Sequence, residues 1–335
     1  MKFICLWGAL LVLVISRLDA SLVWPTPSTA FRDGKPVKTF IQPTASGSIE
    51  SGLFGCVRNG GQRFHEGLDL SPIKRDALGE ATDPIFSILA GKVVYINNHA
   101  NHSSYGRYIV IQHVNESLPF HSLYAHMARI DSRLKVGDAV SKGMILGVMG
   151  RSAGGYSIPK GRAHLHFEVG LMLSNYFQSW YDQQQINTKN HHGNWNGMNL
   201  VSVDPLAFFH SVQAGEVDDF NGFIKARPVV AHLRVYTNKV PDFVKRYPAL
   251  VVGSYDSKKL VAWDIAFTDF GLPIRWTPRF AKNNIDIQEG AVSILSYAPD
   301  RLSRQSCHRV LELEEGLPSL SLQTIATVQK LFRFR

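Results

Sequence analysis

The chain has few cysteines and, after its first residues, no long apolar run. Its 335 residues include three cysteines, which excludes a disulfide-dense small scaffold. No later stretch approaches the about 20 consecutive apolar residues that a membrane-spanning helix needs. Internal repeats, heptads and low-complexity tracts are also missing, and 45% hydrophobic with 19% charged residues is ordinary for a globular protein. The length therefore predicts two folded units.

Basic residues outnumber acidic ones without forming a cluster. The formal charge is +9, which favours an anionic partner but does not choose among cell-wall polymers, nucleic acids and membrane surfaces. No run of Lys and Arg contains interleaved aromatic residues, so we expect no nucleic-acid partner.

The first twenty residues have the pattern of an export signal. Lys2 gives a positive start, residues 3–15 are almost wholly apolar, and Ala20 is a small residue suited to cleavage. Leu18 is larger than a cleavage site prefers, which leaves a retained N-terminal anchor as the alternative. We predict a signal peptide over residues 1–20 and an exported mature protein, periplasmic or extracellular, without a transmembrane segment.

Only two cysteines remain if the signal is removed, because Cys5 lies within it. Cys56 and Cys307 could form one disulfide in an oxidising compartment. Two buried free thiols are an equally good interpretation, since two cysteines do not make a framework.

Short alternating apolar runs between glycine-rich turns dominate residues 46–170. Such alternation is typical of strands, and no amphipathic helix interrupts it, which argues against a wound α/β fold. The pattern predicts a mainly β, antiparallel domain. The predicted strands cover residues 84–89, 92–97, 108–113, 122–126, 144–149 and 164–169.

The remaining segments differ in composition. Residues 21–45 are rich in Pro, Thr and Ser and predict an extended leader. The polar stretch 174–199 predicts an exposed insertion in a first domain that covers residues 46–210. Residues 211–335 predict a C-terminal α+β domain without a chemical motif. Its expected elements are strands over 229–236, 249–255 and 260–268 and a helix after Pro318.

One motif places an imidazole and a carboxylate four residues apart. His65 and Asp69 are both good zinc donors. Gly67 between them weakens a helix, so a turn that leads into a strand fits better than a His-Glu-x-x-His helix. Alone, this motif would be read as an ordinary surface histidine near an aspartate.

Two further motifs carry histidines in predicted strands. His164, His166 and Glu168 alternate and should share one face, while the apolar residues between them pack into the core. Three ionisable groups on one face are costly to bury unless a metal satisfies them, although a solvent-facing strand edge is the alternative. His126 ends another alternating run, where a satisfied core histidine is the simpler interpretation.

Taken together, these motifs resemble the lysostaphin/LytM metallopeptidase family over about residues 51–170. The ordered matches are Arg-Phe-His-x-Gly-x-Asp-Leu, Tyr-Gly-Arg-Tyr-Ile-Val-Ile-Gln-His, Leu-Tyr-Ala-His-Met, Val-Gly-Asp-x-Val-x-Lys-Gly and His-Leu-His-Phe-Glu-Val. The resemblance implies that His65, Asp69 and His166 hold Zn²⁺, while the catalytic residues His126 and His164 flank the open position. It also implies an exported zinc metalloendopeptidase whose substrate is the peptide cross-link of bacterial peptidoglycan.

Several alternatives stay open. The family also includes members that have lost zinc ligands and act as wall-binding or hydrolase-activating modules, but such a member should lack one of the motif residues present here. Glu168 could orient a ligand imidazole or be an exposed carboxylate. We expect His113 to be structural and the pair His191 and His192 to be solvated. The sequence does not indicate the bond that is cut or the oligomeric state.

Overall fold

The computed structural model describes residues 22–114, 116–281, 288–303 and 307–334. The predicted signal peptide lies outside these ranges. Within them, no helix combines the length and the apolar character needed to cross a membrane.

The described residues form short strands and shorter helices. The strands are β1 (Gly55–Arg58), β2 (Arg63–His65), β3 (Leu68–Leu70), β4 (Pro84–Phe86), β5 (Gly91–Asn97), β6 (Tyr108–His113), β7 (Phe120–Ala125), β8 (Arg129–Ile130), β9 (Ala139–Val140), β10 (Ile145–Val148), β11 (Leu165–Met172), β12 (Leu200–Val203), β13 (Val229–Tyr236), β14 (Leu260–Thr268), β15 (Pro273–Phe280), β16 (Val292–Tyr297), β17 (Leu311–Glu314) and β18 (Leu317–Leu320). The α-helices are α1 (Phe177–Gln183), α2 (Pro205–Gln213), α3 (Phe220–Lys225), α4 (Asp242–Arg246), α5 (Pro299–Leu302) and α6 (Leu322–Phe332).

A seven-stranded antiparallel sheet organises the first region, as the alternating pattern predicts. Six strands follow the order β12-β11-β7-β6-β5-β9. The seventh strand, β3, pairs with the first half of β11, on the same edge where β12 pairs with the second half. Alternation along β11 sends Leu165 and Phe167 into the main core and leaves His166 on the opposite face. The register places His166 directly across from Asp69.

Residues 174–199, which we expected to be an exposed insertion, are exposed over much of their length but bury a few aromatic side chains. Helix α1 buries Phe177, Trp180 and Tyr181, and Trp195 packs on the sheet beside the buried Tyr108. The Trp195 ring covers apolar area on this face of the sheet, whereas the aromatic side chains of α1 form a separate cluster.

The leader also packs, although it has no regular strand. Trp24 stacks on Phe31 at 4.5 Å between ring centroids and meets Phe209 of α2 edge-on. Phe40 joins the same core, and Ile41 forms a β-bridge with Leu70. Residues 22–45 are thus irregular but not loose, because their few aromatic side chains reach the core.

The second region forms a four-stranded antiparallel sheet in the order β15-β14-β13-β16. The predicted strands over 229–236 and 260–268 match β13 and β14. The prediction of a strand over 249–255 is wrong: this stretch contains a short 3₁₀ turn and a single bridge at Val251. The C-terminal helix begins at Leu322, because the residues after Leu317 first form strand β18.

The two regions share one continuous core and a covalent link. The Tyr247 hydroxyl accepts a hydrogen bond from the backbone N–H of Met172, and the Phe120 and Phe220 rings stack. Cys56 of β1 and Cys307 form a disulfide, which decides between the two interpretations of the cysteines. This bond ties the β1–β2 hairpin, which carries His65, to the second region.

Candidate metal centre

Three polar side chains from separate strands meet below the surface. His65 ends β2, Asp69 lies in β3 and His166 lies in β11, and all three are buried. The Nε2 atom of His65 is 3.1 Å from Oδ1 of Asp69 and 3.1 Å from Nδ1 of His166. The third edge, from His166 Nδ1 to Asp69 Oδ1, is 3.2 Å.

In each imidazole, the nitrogen that faces away from Asp69 shows where the ring proton lies. His65 Nδ1 lies 2.6 Å from the carbonyl oxygen of Leu53, which can only accept, so Nδ1 carries the proton. His166 Nε2 donates in the same way to Oε1 of Glu168 at 2.8 Å. In their neutral forms both rings therefore present an unprotonated nitrogen to Oδ1 of Asp69. Three lone pairs then converge, and either a proton or a metal ion must lie between them.

This triangle fits a tetrahedral zinc ion. With bonds of about 2.0–2.1 Å, donor atoms around such an ion lie about 3.3–3.4 Å apart, close to the edges of the triangle. Within the described residues, His65, Asp69 and His166 are also the one group of three possible ligands whose donor atoms lie within 4.8 Å of one another. The structure thus brings together the three predicted ligands.

The electrostatics of the triangle are those of a site built for positive charge. Burial disfavours ionisation of Asp69, yet its histidine neighbours, led by His164 and His65, hold the pKa of its carboxyl well below the usual range. Burial likewise disfavours charge on His166, but Asp69 and Glu168 raise its pKa to about 10. A proton therefore occupies the metal-free site, and metal binding displaces it.

Glu168 is a buried partner of the site and not an exposed strand carboxylate, being 1% exposed. Besides accepting from His166, its Oε1 accepts from the Tyr105 hydroxyl at 2.5 Å, and Oε2 accepts from Ser202 Oγ at 2.9 Å. Burial raises the pKa of Glu168, but the hydrogen bonds from His166 and Tyr105 outweigh it and the net shift is downward. The ionised carboxylate fixes the ring orientation and tautomer of His166.

His126 and His164 flank the triangle, with ring centroids 4.7 Å apart. His126 Nδ1 donates to the Ser152 carbonyl at 2.8 Å, and His164 Nδ1 donates to the Arg162 carbonyl at 2.7 Å. Each ring thus keeps Nε2 unprotonated, and His164 Nε2 lies 3.5 Å from Asp69 Oδ1. Burial first, and neighbouring histidines next, lower the pKa of His126 well below its usual range. Burial also lowers that of His164.

The backbone at His126 is strained, with φ of 59° in a residue that has a Cβ. Strand β7 ends at Ala125, and this left-handed residue turns the chain so that the imidazole faces the site. Strain of this kind costs about 1–3 kcal/mol and is typical of functional positions.

Arg58 is a site residue that the sequence motifs did not reveal. Its Nη2 lies 2.6 Å from Oδ2 of Asp69, the carboxylate oxygen that does not face the imidazoles. Arg58 reaches this position because the β1–β2 hairpin pairs it with Arg63, two residues before His65. The Asn59-Gly60-Gly61 turn was the available sequence signal, since such residues favour hairpin turns.

The five predicted site residues line one open cleft of about 710 Å³. Residues 43–48, the β1–β2 hairpin, the loop at Ser104 and Tyr105, and the loop from Tyr156 to Arg162 surround it. A larger cavity of about 980 Å³ lies elsewhere, with Trp24 and Phe209 in its wall, and none of the five lines it. Volume alone would therefore point to the wrong cavity.

The other histidines have structural contacts. His113 bonds the Ala90 carbonyl and the Ser122 hydroxyl, which agrees with the structural role we expected. The pair at 191 and 192 is not fully solvated: His191 is exposed and stacks on His102, but His192 is buried and bonds the Tyr95 hydroxyl at 2.8 Å.

Comparisons with known proteins found one family model and several solved structures that resemble part of the chain. Residues 63–179 match the model of peptidase family M23. Solved structures similar to the chain include the catalytic domain of lysostaphin from Staphylococcus simulans, at 21% identity over 52% of this chain and 96% of that one, with a TM-score of 0.32. Another is the catalytic domain of the prophage-encoded M23 protein EnpA from Enterococcus faecalis, at 24% identity over 39% and 79%, with a TM-score of 0.27. No curated protein matches the chain.

Proposed function

We propose that this chain, which carries the peptidase family M23 pattern at residues 63–179, is an exported zinc metalloendopeptidase that hydrolyses peptide cross-links of bacterial peptidoglycan. The observation that carries the proposal is the convergence of three lone pairs from His65, Asp69 and His166, with edges of 3.1–3.2 Å.

His65, Asp69 and His166 would hold the zinc ion through Nε2, Oδ1 and Nδ1. Zinc bound in such a site supplies Lewis acidity, which polarises a peptide carbonyl and acidifies water. The protein contributes orientation: the Leu53 carbonyl and Glu168 fix the two imidazoles, and Arg58 fixes the carboxylate.

His126 and His164 would move the proton. Each holds its Nδ1 proton on a backbone carbonyl, so each Nε2 can accept a proton from the attacking water and then deliver it to the leaving amine. Their lowered pKa values keep both rings neutral, and so able to accept, at neutral pH. Whichever imidazole has become protonated can donate to the negative oxygen of the tetrahedral intermediate.

Two observations support an exported protein that meets cell wall. The disulfide between Cys56 and Cys307 favours an oxidising compartment, where such bonds persist. The cleft is open to solvent and bordered in part by loops, which suits a segment of a polymer better than an enclosed small molecule.

The test is digestion of purified peptidoglycan by the mature protein. We expect soluble fragments whose masses show hydrolysed peptide bonds, loss of release with a chelator, and recovery with added Zn²⁺. His166→Ala should bind no zinc and release nothing, whereas the exposed-histidine control His210→Ala should act as the wild type.

A second outcome would identify the inactive alternative. In that outcome the protein binds one zinc per chain and adheres to cell wall, yet releases no fragment from peptidoglycan whose cross-links are intact, whatever the envelope type. Such a protein would be a binding or activating module.

A further inference from the structure

The catalytic cleft contains more positive charge than its own carboxylates neutralise. Arg58 and Arg63 enter it from the β1–β2 hairpin, and Arg162 enters from the loop before β11. Asp69 pairs with Arg58 at 2.6 Å. Glu66 is the other carboxylate that lines the cleft, and within the described residues no carboxylate forms an ion pair with Arg63 or with Arg162.

The hairpin holds two like charges against each other. Arg58 and Arg63 are register partners across β1 and β2, and like charges in directly opposed positions destabilise a sheet pair. Asp69 forms an ion pair with Arg58, whereas Glu66 acts on Arg63 electrostatically without forming an ion pair. A negative group of the substrate, bound beside Arg63, would supply that ion pair.

Arg162 belongs to the same charged wall. It precedes His164 by two residues, and its carbonyl accepts the His164 Nδ1 proton at 2.7 Å, so its backbone is fixed to the catalytic edge of the site. Tyr156 marks where these charges meet. Burial and the charge of Asp69 raise the pKa of its hydroxyl, and the guanidinium groups of all three arginines act in the opposite direction.

We propose that Arg63 and Arg162 form a subsite for a free carboxylate of the substrate. The preferred cross-link is then a peptide with an ionised carboxylate beside the scissile bond, and not a neutral glycine bridge. Guanidinium groups bind carboxylates through two parallel hydrogen bonds, and a site built for such a group discriminates strongly against an analogue that lacks it. This inference rests on the proposed peptidase function.

The experiment uses matched synthetic peptides with blocked ends. Each pair differs only in a glutamate or a glutamine next to a Gly-Gly bond, on its N-terminal side in one pair and on its C-terminal side in the other. With the zinc-loaded full chain, we expect kcat/KM to be at least about tenfold higher for the carboxylate peptide of one pair. The preference should shrink as salt is raised.

The variants assign the preference to residues. In the double variant Arg63→Gln and Arg162→Gln the ratio should fall to near one. The matched control Arg133→Gln removes an exposed arginine outside the cleft and should keep the wild-type ratio. If the double variant does not fold, each single variant should lower the ratio by about threefold or more.

A binding arm separates this inference from the proposed function. Peptides with an N-methylated scissile bond are titrated into the zinc-loaded protein by calorimetry. If no peptide is cleaved but the carboxylate peptide still binds about tenfold more tightly, the subsite stands and the peptidase proposal fails for these bonds. Equal kcat/KM and equal binding for both members of each pair, or a preference that survives in the double variant, would overturn the subsite.

Discussion

The guanidinium group of Arg58 lies 2.6 Å from Oδ2 of Asp69, while Oδ1 of the same carboxylate faces His65 and His166. One oxygen is therefore held by the hairpin and the other is presented to the metal centre. The Arg58 side chain is largely buried, with 20% of its area exposed, so solvent screens this contact less than a surface pair.

This geometry predicts that Arg58 tunes metal affinity. Arg58→Ala should weaken zinc binding about 10- to 100-fold, because Asp69 loses the contact that fixes its rotamer. Competition with a chromogenic chelator measures the dissociation constant. Arg63→Ala, on the same hairpin but without an ion pair to Asp69, should leave the dissociation constant unchanged. A tighter zinc complex in Arg58→Ala would show that charge repulsion outweighs orientation.

His121 predicts part of the acid sensitivity of the fold. It is 2% exposed, its Nε2 has no hydrogen-bond partner among the described residues, and burial lowers its pKa to about 4. The unfolded state, with a pKa near 6.5, then binds the proton more tightly than the folded state. The stability that neutral His121 contributes is thus complete above about pH 6.5 and is lost as pH falls from there toward about 4.

The matched variant is His121→Phe, which keeps a ring of similar shape beside Trp195 and removes the titrating group. We expect the fall in the free energy of unfolding between pH 6.5 and pH 4 to be smaller by up to about 3 kcal/mol in His121→Phe. Urea unfolding of the metal-free protein at a series of pH values measures this difference. An unchanged slope would mean that His121 has the same pKa in the folded and the unfolded state.

The disulfide predicts a stability that depends on redox conditions. Cys56 and Cys307 are 251 residues apart, so the bond closes a long loop and restricts the unfolded chain. The double variant Cys56→Ser and Cys307→Ser should lose about 2–5 kcal/mol of the free energy of unfolding. Denaturant unfolding with and without a reductant checks it, since the reductant should destabilise the wild type and leave the variant unaffected.

Local patterns predicted the strands better than the loops that complete the site. The alternation in β5, β6 and β11 is strong because one face meets the core, and the ligand histidine of β11 follows from the same alternation. The strand prediction for 249–255 is wrong because the apolar residues there pack from a 3₁₀ turn and a single bridge. This conformation is set by tertiary contacts, which the local pattern does not show.

Arg58 was missed for a related reason. Its position beside Asp69 depends on the hairpin register and on the pairing of β3 with β11, both of which join residues distant in sequence. The domain boundaries at residues 46, 210 and 211 stay a prediction, since the main core runs through both regions without a break.

The final prediction separates proton transfer from metal binding at His126 and His164. Asparagine is the substitution of choice at position 126, because it tolerates the left-handed backbone there, with φ of 59°, and its amide can still donate to the Ser152 carbonyl. His126→Asn and His164→Asn should each keep one zinc per chain and lower kcat on peptidoglycan peptides by about 10²- to 10⁴-fold. Metal content by mass spectrometry and steady-state kinetics measure the two properties on the same samples. The exposed-histidine control His210→Asn should change neither. Loss of zinc from either variant would make that histidine a ligand, and an unchanged kcat in both would remove the imidazoles from the chemistry.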